Sequence, residues 1–327
     1  MFEVSLRTGR GMDKTLYKLP KEFIERIKRI YPKAYLKIFN SFLTKKAPTF
    51  RANLIKADAP SLTSELKRQN VVFRQVDWYK SAFSLIRPSQ RDFQDNSSYK
   101  DGFVYFQNLS SMLPVLVLGL EPGQRFLDLC AAPGGKLLQA VSETKGDLET
   151  VAVEKVKVRF YKLLANLKNQ GHAGFVKARL CDGAALWRQY PEDFDRVLVD
   201  APCTSEANFL VANPKTYAYW SPRKIKECQH KQKRLLFSGI MALKKGGLLV
   251  YSTCTFAPEE NEEVVRWALD KFKDEIYLEE IRLPVSNFRS GLTEWKDRHF
   301  SRSLQSTKRI IPTDTMEGFY LACLRKR

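Results

Sequence analysis

No stretch of this 327-residue sequence is apolar for long enough to cross a bilayer. The longest such run, around Leu113–Leu120, is under half of the roughly 20 residues that a spanning helix needs. The six cysteines, at positions 130, 181, 203, 228, 254 and 323, are separated by gaps of 51, 22, 25, 26 and 69 residues. No CxxC pair exists, so no metal site is expected. Nothing suggests a disulfide framework either, and a chain of this size does not need one. The expectation is a reducing, cytoplasmic compartment in which any functional cysteine works as a thiol or thiolate. Internal repeats and low-complexity tracts are absent. GxGxxG and the P-loop spacing are missing too, which disfavours a dinucleotide or ATP. The opening residues, MFEVSLRTGRGMDK, lack the apolar core of a secretory signal and carry acids among their bases, unlike an organelle-import peptide. They read as part of the mature protein.

What the sequence has in excess is positive charge. At 44% hydrophobic and 28% charged residues it describes a globular chain with one large core and a smaller domain. Fifty-five Lys and Arg against 36 Asp and Glu give +19. Residues 1–100 hold 21 basic and nine acidic side chains, net +12, and 101–327 hold 34 and 27, net +7. General solubility accounts for part of such an excess. Its concentration in the first third points to a polyanion, because each neutralised phosphate releases counterions.

Two regions follow from the patterning. In Pro20–Leu43, Phe23, Ile24, Ile27 and Ile30, then Tyr35, Leu36, Ile38 and Phe39, recur at helical spacing, which predicts two basic amphipathic helices broken near Pro32. A strand at Phe50–Lys56, a helix at Ser61–Asn70 opened by the Ser61-x-x-Ser64 region, and short strands at Val71–Phe73 and Trp78–Leu85 complete a small α/β domain. Pro88–Lys100 reads as its linker. From residue 101 strands alternate with helices: Arg125–Leu129, Val151–Glu154, Val176–Leu180, Arg196–Asp200 and Leu248–Ser252, with two more near Ile276–Leu283 and Phe319–Leu324. Helices of crossover length between them imply parallel pairing and right-handed connections. The expected fold is therefore α/β: a doubly wound, mostly parallel, seven-stranded Rossmann-like sheet spanning 101–327, preceded by a basic domain over 1–100.

Ligands of such sheets collect beyond the carboxyl ends of the strands, where strand order reverses. The loop Cys130–Lys136 lies at that end of the first strand, and Gly134-Gly135 lets its backbone approach a ligand closely. Glu154 closes the second strand, 20 residues after Gly134, where an acid can take both hydroxyls of a ribose. Asp182 follows the third strand and is placed for an adenine or its water. The three loops read as an adenosine pocket, and S-adenosylmethionine fits one that is acidic and lacks a phosphate-binding lysine on each loop. The fourth strand ends in DAPC (Asp200–Cys203) and the fifth in STC (Ser252–Cys254). Free cysteine is commonly a buried packing residue, a reading that suits Cys181 and Cys323. Two thiols at neighbouring strand ends above one cleft call instead for chemistry. Carbon 5 of cytosine accepts a methyl group only after a thiolate adds at carbon 6 and makes carbon 5 enamine-like, and Asp200 is placed to steady the charge at ring nitrogen 3.

The motifs DLCAAPGGK (Asp128–Lys136), DAPC, and YSTCTFAPEENEEVV (Tyr251–Val265) resemble those of the Sun (Nol/Nop/Sun) family of RNA cytosine-5 methyltransferases. FQNLSSMLP (Phe106–Pro114), Gln229, Lys245-Gly246-Gly247 and the RIIP…GFYLACL tail extend the resemblance over about residues 100–327, with a weaker match at FRAN (Phe50–Asn53). The resemblance implies Cys254 as the nucleophile that attacks carbon 6 and Cys203 as the residue that assists product release. It implies cofactor contacts from Cys130, Ala131, Ala132, Pro133, Gly134, Gly135, Lys136, Glu154, Asp182 and Asp200, with Arg159 a further candidate. DNA cytosine-5 methyltransferases use the Pro-Cys cysteine instead, together with an ENV motif that is missing between Asp200 and Cys254. Thr204-Ser205-Glu206 departs from the small Ser-Gly pair common in the family, and Leu137 replaces a frequent threonine. The partner implied is rRNA or tRNA with the target cytosine single-stranded or flipped. Tyr35, Phe39, Phe50, Trp78 and Tyr79 are candidates for stacking, at most two of them on RNA. Lys215–Trp220 and Arg223–Lys233 add aromatic and basic residues near the presumed mouth. A monomer is expected, and, with GFYLACLRKR closing the sequence, no appended RNA-binding domain. Another methyltransferase on the same fold, or a catalytically silent RNA-binding or ribosome-assembly protein, are the alternatives.

Overall fold

The computed structural model describes residues 14–327, so residues 1–13 of the opening segment lie outside it. Helices α1 (Lys21–Ile30) and α2 (Tyr35–Ser41) form as the apolar spacing predicts and part around Pro32. They pack on the large core rather than on a small one. Phe23 sits 4.9 Å from Phe209 and 5.5 Å from Trp220, ring centre to ring centre, and Arg26 donates through its guanidinium to Glu259.

The small sheet is built next, from β1 (Thr49–Ala52), α3 (Ala59–Arg68), β2 (Val72–Val76), β3 (Tyr79–Arg87), the single helical turns α4 (Gln90–Phe93) and α5 (Ser97–Lys100), and β4 (Val104–Phe106), in the order β2-β3-β1-β4. Three details differ from the sequence reading. Helix α3 starts two residues early because Asp58, not Ser61, is its cap: the Asp58 carboxylate accepts from the Ser61 N–H, and Pro60 occupies the first turn. Strand β1 stops at Ala52, since Asn53 turns the chain and donates to the carbonyls of Gly102 and Gln170. The supposed linker 88–100 is ordered, with Phe93 buried 5.4 Å from Phe50 and 5.7 Å from Phe106. Arg51, fully buried, ties this sheet to the rest: it donates to Gln107 Oε1 at 2.8 Å and to the Gly135 carbonyl at 3.3 Å.

The chain then runs through α6 (Leu109–Leu118), β5 (Gln124–Asp128), α7 (Gly135–Glu143), β6 (Leu148–Glu154), α8 (Lys157–Gln170), β7 (Val176–Leu180), β8 (Phe194–Asp200), α9 (Pro222–Ala242), β9 (Leu243–Thr253), α10 (Glu262–Phe272), β10 (Ile276–Leu278), β11 (Phe288–Ser290), the hairpin β12 (Glu294–Trp295) and β13 (Arg298–His299), β14 (Lys308–Ile310) and β15 (Phe319–Lys326). The sheet order is β11-β14-β15-β9-β8-β5-β6-β7, with β10 also paired to β15. Among the described residues that makes nine strands in this sheet, not seven. The run β9-β8-β5-β6-β7 is parallel, and the other four form an antiparallel edge that includes the short, charged β11 and β14. Both faces are apolar. Leu127, Val151, Val197 and Leu249 belong to one buried cluster, while Phe126, Ala152, Leu198 and Val250 belong to the other, alternating along each strand as a doubly covered sheet requires. Buried Arg309 on β14 clamps Glu262 with two nitrogens and donates to Tyr31 Oη and to the Phe256 carbonyl. Strand order reverses between β5 and β8, so the crevice opens over Asp128 and Asp200. Among the described residues no helix is long and apolar enough to cross a membrane.

Candidate active site

The loop after β5 turns at Gly134, whose φ of +116° is closed to most side chains. A Cβ there would come 3.1 Å from Leu163 Cδ1, so glycine also permits close packing on α8. Beneath the loop, Asp128 is buried and accepts the Cys130 N–H at 3.1 Å; burial pushes its carboxyl up to about 7. Lys136 reaches across the crevice and donates to Asp200 at 2.6 Å and to Ser111 Oγ at 2.7 Å, while Ser252 Oγ donates to the other Asp200 oxygen. Glu154, buried at the end of β6, accepts the Val156 N–H at 2.7 Å and faces Arg159, which also donates to the Ala132 carbonyl. Asp182 accepts from Ala184 N–H and Lys155; partial burial opposes them, yet these donors hold its carboxyl below the usual range.

These groups bound two cavities. One of about 490 Å³ is lined by Leu129, Glu154, Arg159, Asp182, Pro202 and Leu235. The other, about 310 Å³, takes Ala131, Ala132, Pro133, Gly135, Lys136 and Asp200 from the large sheet's side, Tyr105 from the small sheet and Gln107 from just beyond it. Cys130 lines both. Every predicted cofactor residue except Gly134 therefore lines a cavity, and Gly134 shapes the turn. A third hollow of about 280 Å³ shares Pro48, Gln90 and Asn108 with the second and continues past Lys45 and Lys46 to Asn208.

The two loop cysteines converge. Cys203 Sγ and Cys254 Sγ lie 3.4 Å apart, both half-buried, above the adjacent ends of β8 and β9. The two thiols share a hydrogen bond, and with Cys203 as its donor the Cys254 thiol is drawn below its ordinary range against the opposing effect of burial. The same bond, together with burial, pushes Cys203 well up. The loops are laced together from below. Glu260 accepts from Thr204 N–H at 3.0 Å, Gln232 Nε2 at 2.8 Å, and the hydroxyls of Thr204 and Thr255. Burial, then the nearby Glu206 carboxylate, raises Glu260 to about 8. Glu206 in turn accepts the Phe256 N–H and the Trp220 indole N–H. The sequence reading quoted Glu260 within its motif and noted Glu206 as a departure, but assigned neither a role. Ser205 belongs to the same departure, likewise without a role, while Asn208 carries no signal in the sequence; both touch the sulfurs. Of the aromatics considered for stacking, Phe39, Phe50 and Tyr79 are buried in packed cores and cannot meet a base, leaving Tyr35 and Trp78 half-buried. Cys323 is buried in β15, and Cys181 is half-buried after β7.

Residues 115–325 match the family profile described as 16S rRNA methyltransferase RsmB/F. The chain belongs to this family. RsmB/F proteins are S-adenosylmethionine-dependent RNA cytosine-C5 methyltransferases, and so is this chain. It is 35% identical over 280 residues to the tRNA (cytosine(49)-C(5))-methyltransferase of Pyrococcus abyssi, covering 85% of this chain and 88% of that one. It is 32% identical over 289 residues to the human 28S rRNA (cytosine(4447)-C(5))-methyltransferase, but spans 34% of that relative's length. A solved methyltransferase homologue from Pyrococcus horikoshii superposes with a TM-score of 0.82 at 29% identity, covering 97% of this chain and all of that one. NSun6 from Pyrococcus horikoshii, solved with SFG, shares the fold at a TM-score of 0.79 and 21% identity, with 95% of this chain and 99% of that chain covered.

Proposed function

We propose that this RsmB/F protein methylates carbon 5 of a cytosine in rRNA or tRNA through a covalent bond between Cys254 and carbon 6, with Cys203 aiding release. The observation that carries the reading is the 3.4 Å approach of the two sulfurs beside the cavity holding Lys136 and Asp200. S-adenosylmethionine supplies the methyl group. The residues present fit it: a buried acid, Glu154, for ribose hydroxyls; Asp182 for the adenine; and the Cys130–Gly135 backbone with Lys136, Asp200 and Arg159 around the remainder. Cys254, drawn toward thiolate, adds to carbon 6, and the C5=C6 electron pair becomes available at carbon 5. Ring nitrogen 3 takes a proton from water as the thiolate adds, its N–H donates to the Asp200 carboxylate, and the proton returns to water once the sulfur has left. After methylation the C5–H proton passes to water, its electron pair restores C5=C6, and the C6–S bond breaks. The Cys203 thiol then donates to the departing sulfur.

The basic first third supplies attraction for the RNA backbone, and the hollow past Lys45 and Asn208 is its approach to the sulfurs. All the groups invoked lie in one chain, so a monomer suffices, and two reduced thiols this close call for a reducing compartment, the cytoplasm. The test is trapping on RNA that contains 5-azacytidine. A denaturant-resistant adduct is expected, and it should vanish in Cys254→Ala. A full-strength adduct in that variant would hand the nucleophile's role to Cys203.

A further inference from the structure

Cys254 has an unusual set of neighbours for a nucleophilic thiol. Among the described residues no histidine hydrogen-bonds either sulfur, although a neighbouring imidazole is a common way to activate a cysteine. Instead, Ser205 Oγ lies 3.5 Å from Cys254 Sγ and 3.8 Å from Cys203 Sγ. Asn208 Nδ2 donates to Cys254 Sγ at 3.6 Å. Ser205 holds a left-handed backbone, φ +54° and ψ +35°, where glycine is at ease and a side chain is strained. The loop is folded so as to keep it there: Asn208 N–H donates to the Ser205 carbonyl and Ala207 N–H to the Cys254 carbonyl. A strained residue whose hydroxyl meets both reacting sulfurs is doing something that the glycine the backbone favours could not do.

We propose that Ser205 is a further catalytic residue, its hydroxyl donating to Cys254 as that sulfur becomes a thiolate, with Asn208 as the second donor. The proposal rests on Cys254 being the nucleophile. With Cys254 protonated, its S–H donates to Ser205 Oγ, and the Ser205 hydroxyl points to the Cys203 carbonyl 3.4 Å away. When the proton leaves Cys254, rotation about the Cβ–Oγ bond turns the hydroxyl onto the new S⁻. No proton leaves Ser205. The hydrogen bond reverses, and the charged form gains a donor it lacked, which lowers the pH at which the nucleophile becomes available.

Ser205→Gly and Ser205→Ala separate the hydroxyl from the backbone, because glycine relieves the strain and alanine retains it. The measurements are the pH dependence of Cys254 alkylation by iodoacetamide, located by peptide mass spectrometry, and of single-turnover adduct formation on 5-azacytidine RNA. In both variants the acidic limb should move to higher pH, with rates about three- to tenfold lower below its midpoint and converging with wild type at high pH. An unmoved limb in both variants overturns the proposal. So does a loss confined to Ser205→Ala, since that pattern belongs to backbone strain alone. The alkylation profile needs no RNA, so it reports on Ser205 independently. An adduct that maps to Cys203 would instead overturn the assignment of the nucleophile.

Discussion

At the scale of single residues, different neighbours shift two chemically identical side chains in opposite directions, and the roles proposed for them follow from that. Cys254 gathers donors, whereas Cys203 spends its proton on Cys254 and stays a thiol. Cys203→Ala should therefore leave the methylated base attached. On ordinary RNA a denaturant-resistant adduct should accumulate that wild type does not show, measurable by gel shift, and free turnover in that variant would contradict the role in release. Glu260 is the second residue with a readable consequence. Its carboxyl is raised from 4.5 to about 8 in the fold by burial and by Glu206, which together outweigh its donors. The native state then binds a proton that the unfolded chain has lost, so this group's stabilisation is complete below pH about 4.5 and is lost as pH rises toward 8, by up to roughly 1.4 kcal/mol per pH unit. Glu260→Gln, which mimics the neutral acid, should flatten the fall of Tm between pH 6 and 8. A slope unchanged from wild type would show that Glu260 ionises normally.

Elements were legible in the sequence where the pattern was long and local. Four of the five parallel strands centre on short apolar runs covered on both faces, the exception being the edge strand β7, and the glycine loop, DAPC and STC fall at the ends of three of them. Strands β11 and β14 escape the sequence reading because each is only three residues long and mixes charged with apolar side chains, too short for a periodicity to show. The α3 cap was misplaced because Asp58 lies outside the apolar pattern it terminates. Glu206, Glu260, Ser205 and Asn208 were unreadable as a network for a different reason: partners such as Ser205 and Cys254 are 49 residues apart, and only the pairing of β8 with β9 joins them. The placement of α1 was equally invisible, since amphipathicity says that a face is buried without saying against what. In the fold, α1 props the Pro-Cys loop through Phe23, Trp220 and Glu206. Phe23→Ala, which empties a fully buried site, should cost about 3–5 kcal/mol of stability. It should also lower the single-turnover rate at temperatures where the variant remains folded. Thermal unfolding measured alongside kinetics checks both.

For the molecule as a whole, the charge imbalance and the hollows that run from the small sheet to Asn208 support the proposed path for a polyanion. Exposed Lys45 borders that path without touching the cysteines or the donor cavities. Lys45→Ala should weaken binding of unrelated single-stranded RNAs to similar extents and reduce the slope of log affinity against log salt by about 0.7, one phosphate contact's worth. The rate of methylation at saturating RNA should be unaffected. A change confined to one RNA sequence would mark Lys45 as a base reader instead.

Arg51 gives this layout a mechanical corollary. One guanidinium, carried on β1 of the small sheet, is bonded to Gln107 just beyond β4 and to the peptide oxygen that opens helix α7 beside the proposed methyl-donor cavity. A shift of the small sheet on binding RNA would therefore be felt at the start of α7. The two substrates would sense each other's arrival through a rivet, and loosening it should uncouple their affinities before it harms either.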